Sequence, residues 1–236
     1  MKALWFLPNA FTFLNLFFGC VGIVYGINGD LKTLSVFILL GALCDFFDGF
    51  FARLLNVEGS IGTQLDSFAD LITFGMSPAI VIFNLLEKSN YVTSNITSFS
   101  NYIPFLSFLI VVSSSYRLAK FNLQHNSSFF HGLPTPANAI LIVFLPYLFD
   151  HELLNGISGL INSTIFLISL IMVSSILLIS NFELPKLKGF QNMKAFNLKR
   201  GIFILISISL FFSLKFAAFP LIIILYLTVG LLRIKF

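Results

Sequence analysis

Apolar stretches of about twenty residues recur along the whole chain, and no other feature restricts its fold so severely. They cover roughly 10–28, 33–54, 62–86, 102–121, 136–150, 158–181, 201–217 and 219–234. Each window is near the length a helix needs to cross a hydrocarbon core. In lipid every backbone N–H and C=O must be satisfied internally, so consecutive apolar windows of this length are helices. The composition agrees: 57% of the 236 residues are hydrophobic, 10% are charged, and the mean hydropathy is +0.95. The expected fold is all-α, a polytopic integral membrane protein with about eight transmembrane helices. A soluble domain and a nucleic-acid partner are both excluded by this balance. The first apolar run is too long for the core of a cleaved leader, and no cleavage site follows it.

Lysine and arginine placement sets the expected orientation. With the N-terminus in the cytosol, Lys2, Arg53, Arg117, Lys120, Lys186, Lys188, Lys194, Lys199, Arg200, Arg233 and Lys235 share that side. Only Lys32, Lys88 and Lys215 fall opposite. Both termini are therefore expected inside. Asn28-Gly29-Asp30 reads as a turn. Ser89 to Asn101 reads as a solvated loop whose Asn95-Ile96-Thr97 is a chance sequon, and Asp150-His151-Glu152 as a hydrated loop rather than a metal site. Leu184 to Arg200 is basic and suits anionic headgroups or ordinary positive-inside flanking equally. Trp5 to Asn15 reads as an interfacial lead-in to the first span, and the glycines from Gly19 to Gly29 as close-packing positions. Cys20 and Cys44 read as small buried hydrophobes, with no disulfide or zinc framework.

Against this background one stretch stands out, Cys44 to Asp70. It holds Asp45, Asp48, Asp66 and Asp70, four of only ten acidic residues. Carboxylates at membrane depth are expensive and are functional candidates by default. Asp45, Asp48, Gly49 and Ala52 fall at i, i+3, i+4 and i+7 of one helix face, and Gly62, Asp66 and Asp70 at i, i+4 and i+8 of another. Two such helices facing each other would bring four carboxylates together, and these would repel at low dielectric unless cations joined them. Oxygen-only ligands select hard ions such as Mg²⁺, Mn²⁺ or Ca²⁺. A pair of divalent ions can hold a pyrophosphate. Gly49 and Ala52 leave room for a ligand, and Arg53 offers a planar fork to a phosphate. The residues alone point to phosphoryl chemistry at a membrane surface.

The pattern Asp45-x-x-Asp48-Gly49-x-x-Ala52-Arg53, eight residues, then Gly62-x-x-x-Asp66-x-x-x-Asp70 resembles the complete signature of the CDP-alcohol phosphatidyltransferases. The resemblance implies a core of six helices, a homodimer, and transfer of a substituted phosphate from a CDP-linked donor to an alcohol with release of CMP. It implies that Asp45, Asp48, Asp66 and Asp70 surround two divalent cations, Mg²⁺ or Mn²⁺, and that Asp70 is also the general base. It assigns CDP binding to Asp48, Gly49, Ala52, Arg53, Gly62 and Asp66.

Three further segments resemble the phosphatidylserine synthase branch of that family. They are Asp66 to Ala79, Arg117-Leu118-Ala119-Lys120-Phe121-Asn122, and Gly132-Leu133-Pro134-Thr135-Pro136. Leu7-Pro8-Asn9-Ala10-Phe11-Thr12 with Asn15 resembles the entry segment of the family. The implied substrates are CDP-diacylglycerol and L-serine, within membrane lipids. Arg117, Lys120, Asn122, Thr12 and Asn15 are the candidate substrate contacts. Lys120 keeps a charge where an arginine is expected but loses the bidentate fork. Two cations at a helix end suit a serine carboxylate or a lipid phosphate; the plainer reading is snorkelling. His131 and His125 are weaker candidates. An acceptor carrying its own phosphate, glycerol 3-phosphate or inositol phosphate, is the alternative within the family, and a cation transporter the alternative outside it. The chain is expected to divide into a catalytic membrane core (1–181), a basic cytosolic loop (182–200) and two additional spans (201–236). The expected location is the cytoplasmic membrane of a prokaryote, with the active site facing the cytosol.

Overall fold

A computed structural model describes residues 6–55, 57, 59–94, 100–123, 132–149, 159, 162–181 and 198–231. Lys2, Trp5, the Asn95 sequon, His125, His131, Asp150-His151-Glu152, Lys186, Lys188, Lys194, Arg233, Lys235 and most of the basic loop lie outside the described residues. Within them the chain is helical, with no strand.

Each apolar window has a helical counterpart. Helix α1 spans Phe6–Ile27 and α2 spans Leu31–Leu55; α3 runs over Ser60–Glu87 and α4 over Ser100–Leu123. Shorter apolar helices follow, α5 over Thr135–Leu148 and α6 over Thr164–Ile179. Finally α7 (Leu198–Leu214) and α8 (Ala218–Leu231) are joined by a 3₁₀ turn, Lys215–Ala217. Counting α7–α8 as one unit, five helices are long and apolar enough to cross a membrane. The shortness of α5 has a local cause. Pro146 has no N–H for the Ile142 carbonyl, so the helix breaks at Phe144 and resumes at Leu145.

Four sequence expectations are altered. Cys20, expected to be buried, is exposed, while Cys44 is buried. Ser89, expected in a solvated loop, is buried, and Asn90–Ser94 after it is a short helix. The segment before Asn15 is not separate from the first span: α1 is continuous from Phe6 and buries Pro8, Thr12 and Asn15. The break between the last two spans begins at Lys215, which has a positive φ of 51°, rather than at the Ala217–Pro220 boundary. Pro220 falls in the first turn of α8, where a missing N–H costs nothing.

The buried face of α1 is made of small and polar residues, Thr12, Asn15, Gly19, Gly22 and Gly26, while Phe13, Phe17 and Val24 face outward. Without a hydrophobic drive between helices in lipid, close backbone approach and hydrogen bonds hold the bundle. A Cβ on Gly41 would lie 2.8 Å from Thr73 Cγ2, and one on Gly19 would overlap Thr73 Oγ1. These glycines let α1, α2 and α3 converge on Thr73.

Helix α3 is not uniform. Leu71–Met76 forms a π segment. Pro78 explains it: the proline cannot donate to the Phe74 carbonyl and its ring crowds that oxygen. The preceding turn widens, and the Ser77 N–H reaches back five residues to the Ile72 carbonyl. At one end of the bundle lie the Asn28–Asp30 turn, Lys88, and a 2.6 Å Ser89–Thr164 hydroxyl contact. At the other lie the end of α2, the start of α3 and the end of α4, where Asn122 Nδ2 donates to Ser67 Oγ at 2.9 Å. The acidic residues sit toward this second end.

Candidate active site

Helix α2 delivers Asp45 and Asp48, and α3 delivers Asp66 and Asp70. The helical period does what the sequence predicted: one carboxylate oxygen each from Asp45, Asp48 and Asp66 lies within 4.8 Å of the others. Asp70, one turn further along α3, lies beside the other three acids. Asp48 is 6% exposed and Asp70 8%. Asp45 and Asp66 are half-buried, and among the described residues none of the four acids has a lysine or arginine partner. Asp66 Oδ1 is buried without any hydrogen-bond partner. An orphaned anionic oxygen beside two other carboxylates is the donor set a hard divalent ion takes. The residues fit such ions: Asp45, Asp48 and Asp66 would hold them, with Asp70 closing the deep side.

The surface next to the acids is open. A Cβ on Gly49 would meet only an Arg53 guanidinium nitrogen, at 3.8 Å. Arg53 is exposed and leans back over Gly49, with half-buried Ala52 beside it. Across the gap, a Cβ on Gly62 would lie 3.4 Å from Asn9 Oδ1. Of the predicted CDP-binding residues, Gly49, Ala52 and Arg53 thus lie together just past Asp48 on α2, and Gly62 lies beside Asn9, one turn before Asp66 on α3.

Thr12 and Asn15 sit behind the acids. Thr12 Oγ1 donates to Asp48 Oδ2 at 2.8 Å. Asn15 Nδ2 donates to Asp70 Oδ1 at 3.4 Å. The end of α4 is placed otherwise. Lys120 Nζ bonds Asn181 Oδ1 at 2.6 Å, beyond α6, and Asn122 bonds Ser67. Arg117 lies under the turn before α5, where a Cβ on Gly132 would come 3.0 Å from Arg117 Nη1. Gly132 has a φ of +74°, and its neighbour Leu133 N–H bonds the Leu177 carbonyl of α6 at 3.0 Å. The structure therefore brings Thr12 and Asn15 onto the acids, and joins Arg117 and Lys120 to the α5–α6 side of the same end.

Sequence reasoning passed over Asn9, Ser67 and Thr73 as site residues. Asn9 precedes Thr12 and Asn15 at steps of three, and Thr73 lies three residues past Asp70, close to the face of the Gly62-Asp66-Asp70 stripe. That periodicity was a usable signal. Ser67 carried none, since its role depends on a partner 55 positions away.

The sequence profile of the family described as CDP-alcohol phosphatidyltransferase matches residues 5–179. The chain belongs to the CDP-alcohol phosphatidyltransferase family. Among curated relatives, the CDP-diacylglycerol–serine O-phosphatidyltransferase of Helicobacter pylori strain 26695 is 31% identical over 237 residues, covering 99% of this chain and 92% of that protein. The protein of the same name from Bacillus subtilis strain 168 is 30% identical over 83% of this chain and 97% of its own length. An archaetidylserine synthase from Methanothermobacter thermautotrophicus is 29% identical over 78% of this chain and 71% of its own length. A CDP-alcohol phosphatidyltransferase needs a place for a pyrophosphate and a group to take the acceptor's proton, and the acid cluster and open surface described above supply candidates for both.

Proposed function

We propose that the protein transfers the phosphatidyl group of CDP-diacylglycerol to L-serine, releasing CMP. The observation that carries the transferase reading is the meeting of Asp45, Asp48 and Asp66 oxygens within 4.8 Å beside the open Gly49 surface. Serine as acceptor is supported by the names of relatives aligned over nearly the whole chain. Divalent cations bound by the acids, Mg²⁺ or Mn²⁺, would neutralise them and the pyrophosphate charge. Arg53 and the Gly49–Ala52 surface receive the CDP moiety, with Gly62 and Asn9 opposite. The serine hydroxyl oxygen bonds to the phosphorus that carries diacylglycerol. Its proton goes to Asp70, and the phosphoanhydride bond to CMP breaks. Arg117 and Lys120 stand at the same end as the acids and offer their charge to the serine carboxylate, with Asn122 beside them as a neutral polar contact.

The surrounding arrangement is proposed with it. Lys32 and Lys88 lie at the end away from the acids, and Arg53, Arg117 and Lys120 at the acidic end, which supports a cytosolic active site in a prokaryotic cytoplasmic membrane. The family match ending at residue 179 supports a catalytic core over 1–181, followed by the 182–200 loop and two further spans, eight in all. A homodimer is the family expectation.

An acceptor panel tests the reading. Purified membranes containing the protein are given CDP-diacylglycerol, Mg²⁺ or Mn²⁺, and L-serine, glycerol 3-phosphate or inositol phosphate separately, and CMP is followed. Serine-dependent release that disappears with chelator and returns with added cation is expected. Release with another acceptor alone would keep the site and overturn serine; no release with any acceptor would overturn the transferase reading.

A further inference from the structure

Helix α1 carries two polar side chains in its buried face at the level of the acids, Thr12 (4% exposed) and Asn15 (0% exposed). Each donates to a different acidic helix. Thr12 serves Asp48 on α2, inside the three-carboxylate pocket. Asn15 serves Asp70 on α3, which lies outside that group of three. Neither bond is made to the remaining pair, Asp45 and Asp66.

The position of Asn15 is itself fixed from three sides. Its backbone carbonyl accepts from Thr73 Oγ1 at 3.0 Å, one turn past Asp70 on the π segment. Its Oδ1 would be 3.0 Å from a Cβ on Gly41, so only glycine there admits the amide. Gly19 removes the side chain that would otherwise displace Thr73. The amide is thus wedged between α2 and α3, with Nδ2 toward Asp70. At 3.4 Å the Asn15–Asp70 bond is long beside the 2.8 Å Thr12–Asp48 bond. Such contacts in a site without substrate tighten in the reacting complex.

We infer that α1 supports the two acids for separate tasks: Thr12 holds Asp48 for ion binding, and Asn15 is a positioning residue that holds Asp70 for turnover. With Oδ1 of Asp70 held by Asn15, the carboxyl cannot swing freely, and its other oxygen is presented to the acceptor hydroxyl. With Oδ2 of Asp48 held by Thr12, its other oxygen is aimed into the pocket with Asp45 and Asp66. Residues that hold a ligand or base in place typically contribute about 10–100-fold to affinity or activity. The division of labour rests on the transferase reading for the turnover half, whereas the ion half stands on the carboxylate geometry alone.

The test compares the detergent-purified full chain with its Thr12→Val and Asn15→Leu variants. Free Mn²⁺ is followed by its electron paramagnetic resonance signal during titration, and kcat and KM are taken from CMP release with CDP-diacylglycerol and serine. Thr12→Val is expected to weaken Mn²⁺ binding about 10-fold or more. Asn15→Leu is expected to leave Mn²⁺ affinity and the KM for CDP-diacylglycerol within about twofold while kcat falls about 10-fold or more. A merely structural role for Asn15 would move all three together. Thr73→Val, which keeps the shape and removes only the hydroxyl donor to Asn15, should lower kcat in the same pattern by a smaller factor, and serves if Asn15→Leu does not fold. Equal loss of Mn²⁺ affinity in Thr12→Val and Asn15→Leu overturns the inference, as does an Asn15→Leu enzyme with unchanged kcat. If the wild-type chain releases no CMP, the transferase reading fails. The Mn²⁺ titration then still decides whether Thr12, and not Asn15, governs the ion pocket.

Discussion

Two regions of this bundle hold helices together by opposite means. Where α1, α2 and α3 meet, the contact is built from absent side chains and short polar ones: Gly19, Gly41, Thr73 and Asn15. Where α5 meets the α7–α8 turn, it is built from rings. Phe144 lies 4.6 Å from Phe219 and 6.1 Å from Phe216 between ring centroids, and Tyr147 lies 5.3 Å from Phe216. The first contact fixes backbones at a distance that one methyl group would change. The second spreads its attraction over large faces that can slide and repack. Precision is concentrated where carboxylates must converge, and tolerance where helices need only stay together.

The sharpest way to break this comparison is at the acids. Asp70→Asn should lower serine-dependent CMP release by about 10²–10⁴-fold, the usual contribution of a positioned base. A loss smaller than tenfold at saturating substrates would remove Asp70 from that role. Asp66→Asn should instead abolish detectable Mn²⁺ binding, read by the same titration. Next come the glycines. Gly41→Val forces atoms into Thr73 and Asn15, and overpacking of this kind costs about 1–3 kcal/mol or more. Activity and Mn²⁺ affinity should fall together, in contrast to the aromatic seam. There, Phe219→Leu should lower stability by roughly 1 kcal/mol in detergent unfolding, with activity within about twofold. An aromatic variant that silenced the enzyme would erase the contrast between the regions.

The smallest effect belongs to Asp30, at the turn far from the acids. Its carboxylate caps α2 by accepting the Thr33 N–H at 3.0 Å, and bonding to Thr33 holds its carboxyl below the usual range. A group lowered on folding stabilises above its unfolded value, and that contribution is lost as pH falls through the folded one. Asp30→Ala should therefore cause a slight drop in unfolding temperature at neutral pH. The difference from wild type should begin to shrink below about pH 4, where the unfolded-state carboxyl protonates, and vanish only once pH has fallen below the lower value of the folded state.

The four acids were legible because a helix of 3.6 residues per turn converts the spacings Asp45–Asp48 and Asp66–Asp70 into shared faces. Gly19, Gly22 and Gly26 were legible as packing positions for the same reason, and all three are buried. The placement of Thr12 and Asn15 was legible only by resemblance, and then as substrate contacts. Their hydrogen-bond partners lie 36 and 55 positions away, and no local pattern encodes which acid each will meet. The π segment escaped notice because a six-residue irregularity is too short to disturb a hydropathy window; Pro78 was its one visible trace. Lys215 as the hinge of the last helices was hidden by a continuous apolar run on both sides.

The widened turn after Asp70 has a consequence for how such a protein can change. In an α-helix each residue advances the side chains by about 100°, so a residue absorbed by the wide turn resets the phase of everything beyond it. Before the turn, Asp66 and Asp70 face the carboxylates of α2 and Gly62 faces Asn9 of α1; after it, Ala79, Ile82 and Leu86 lie in the apolar interior. Helix α3 works as two shafts joined by a coupling rather than as one rigid rod. Mutational drift in the half that packs into the apolar interior can alter how that half turns against its neighbours while the acidic half stays aligned.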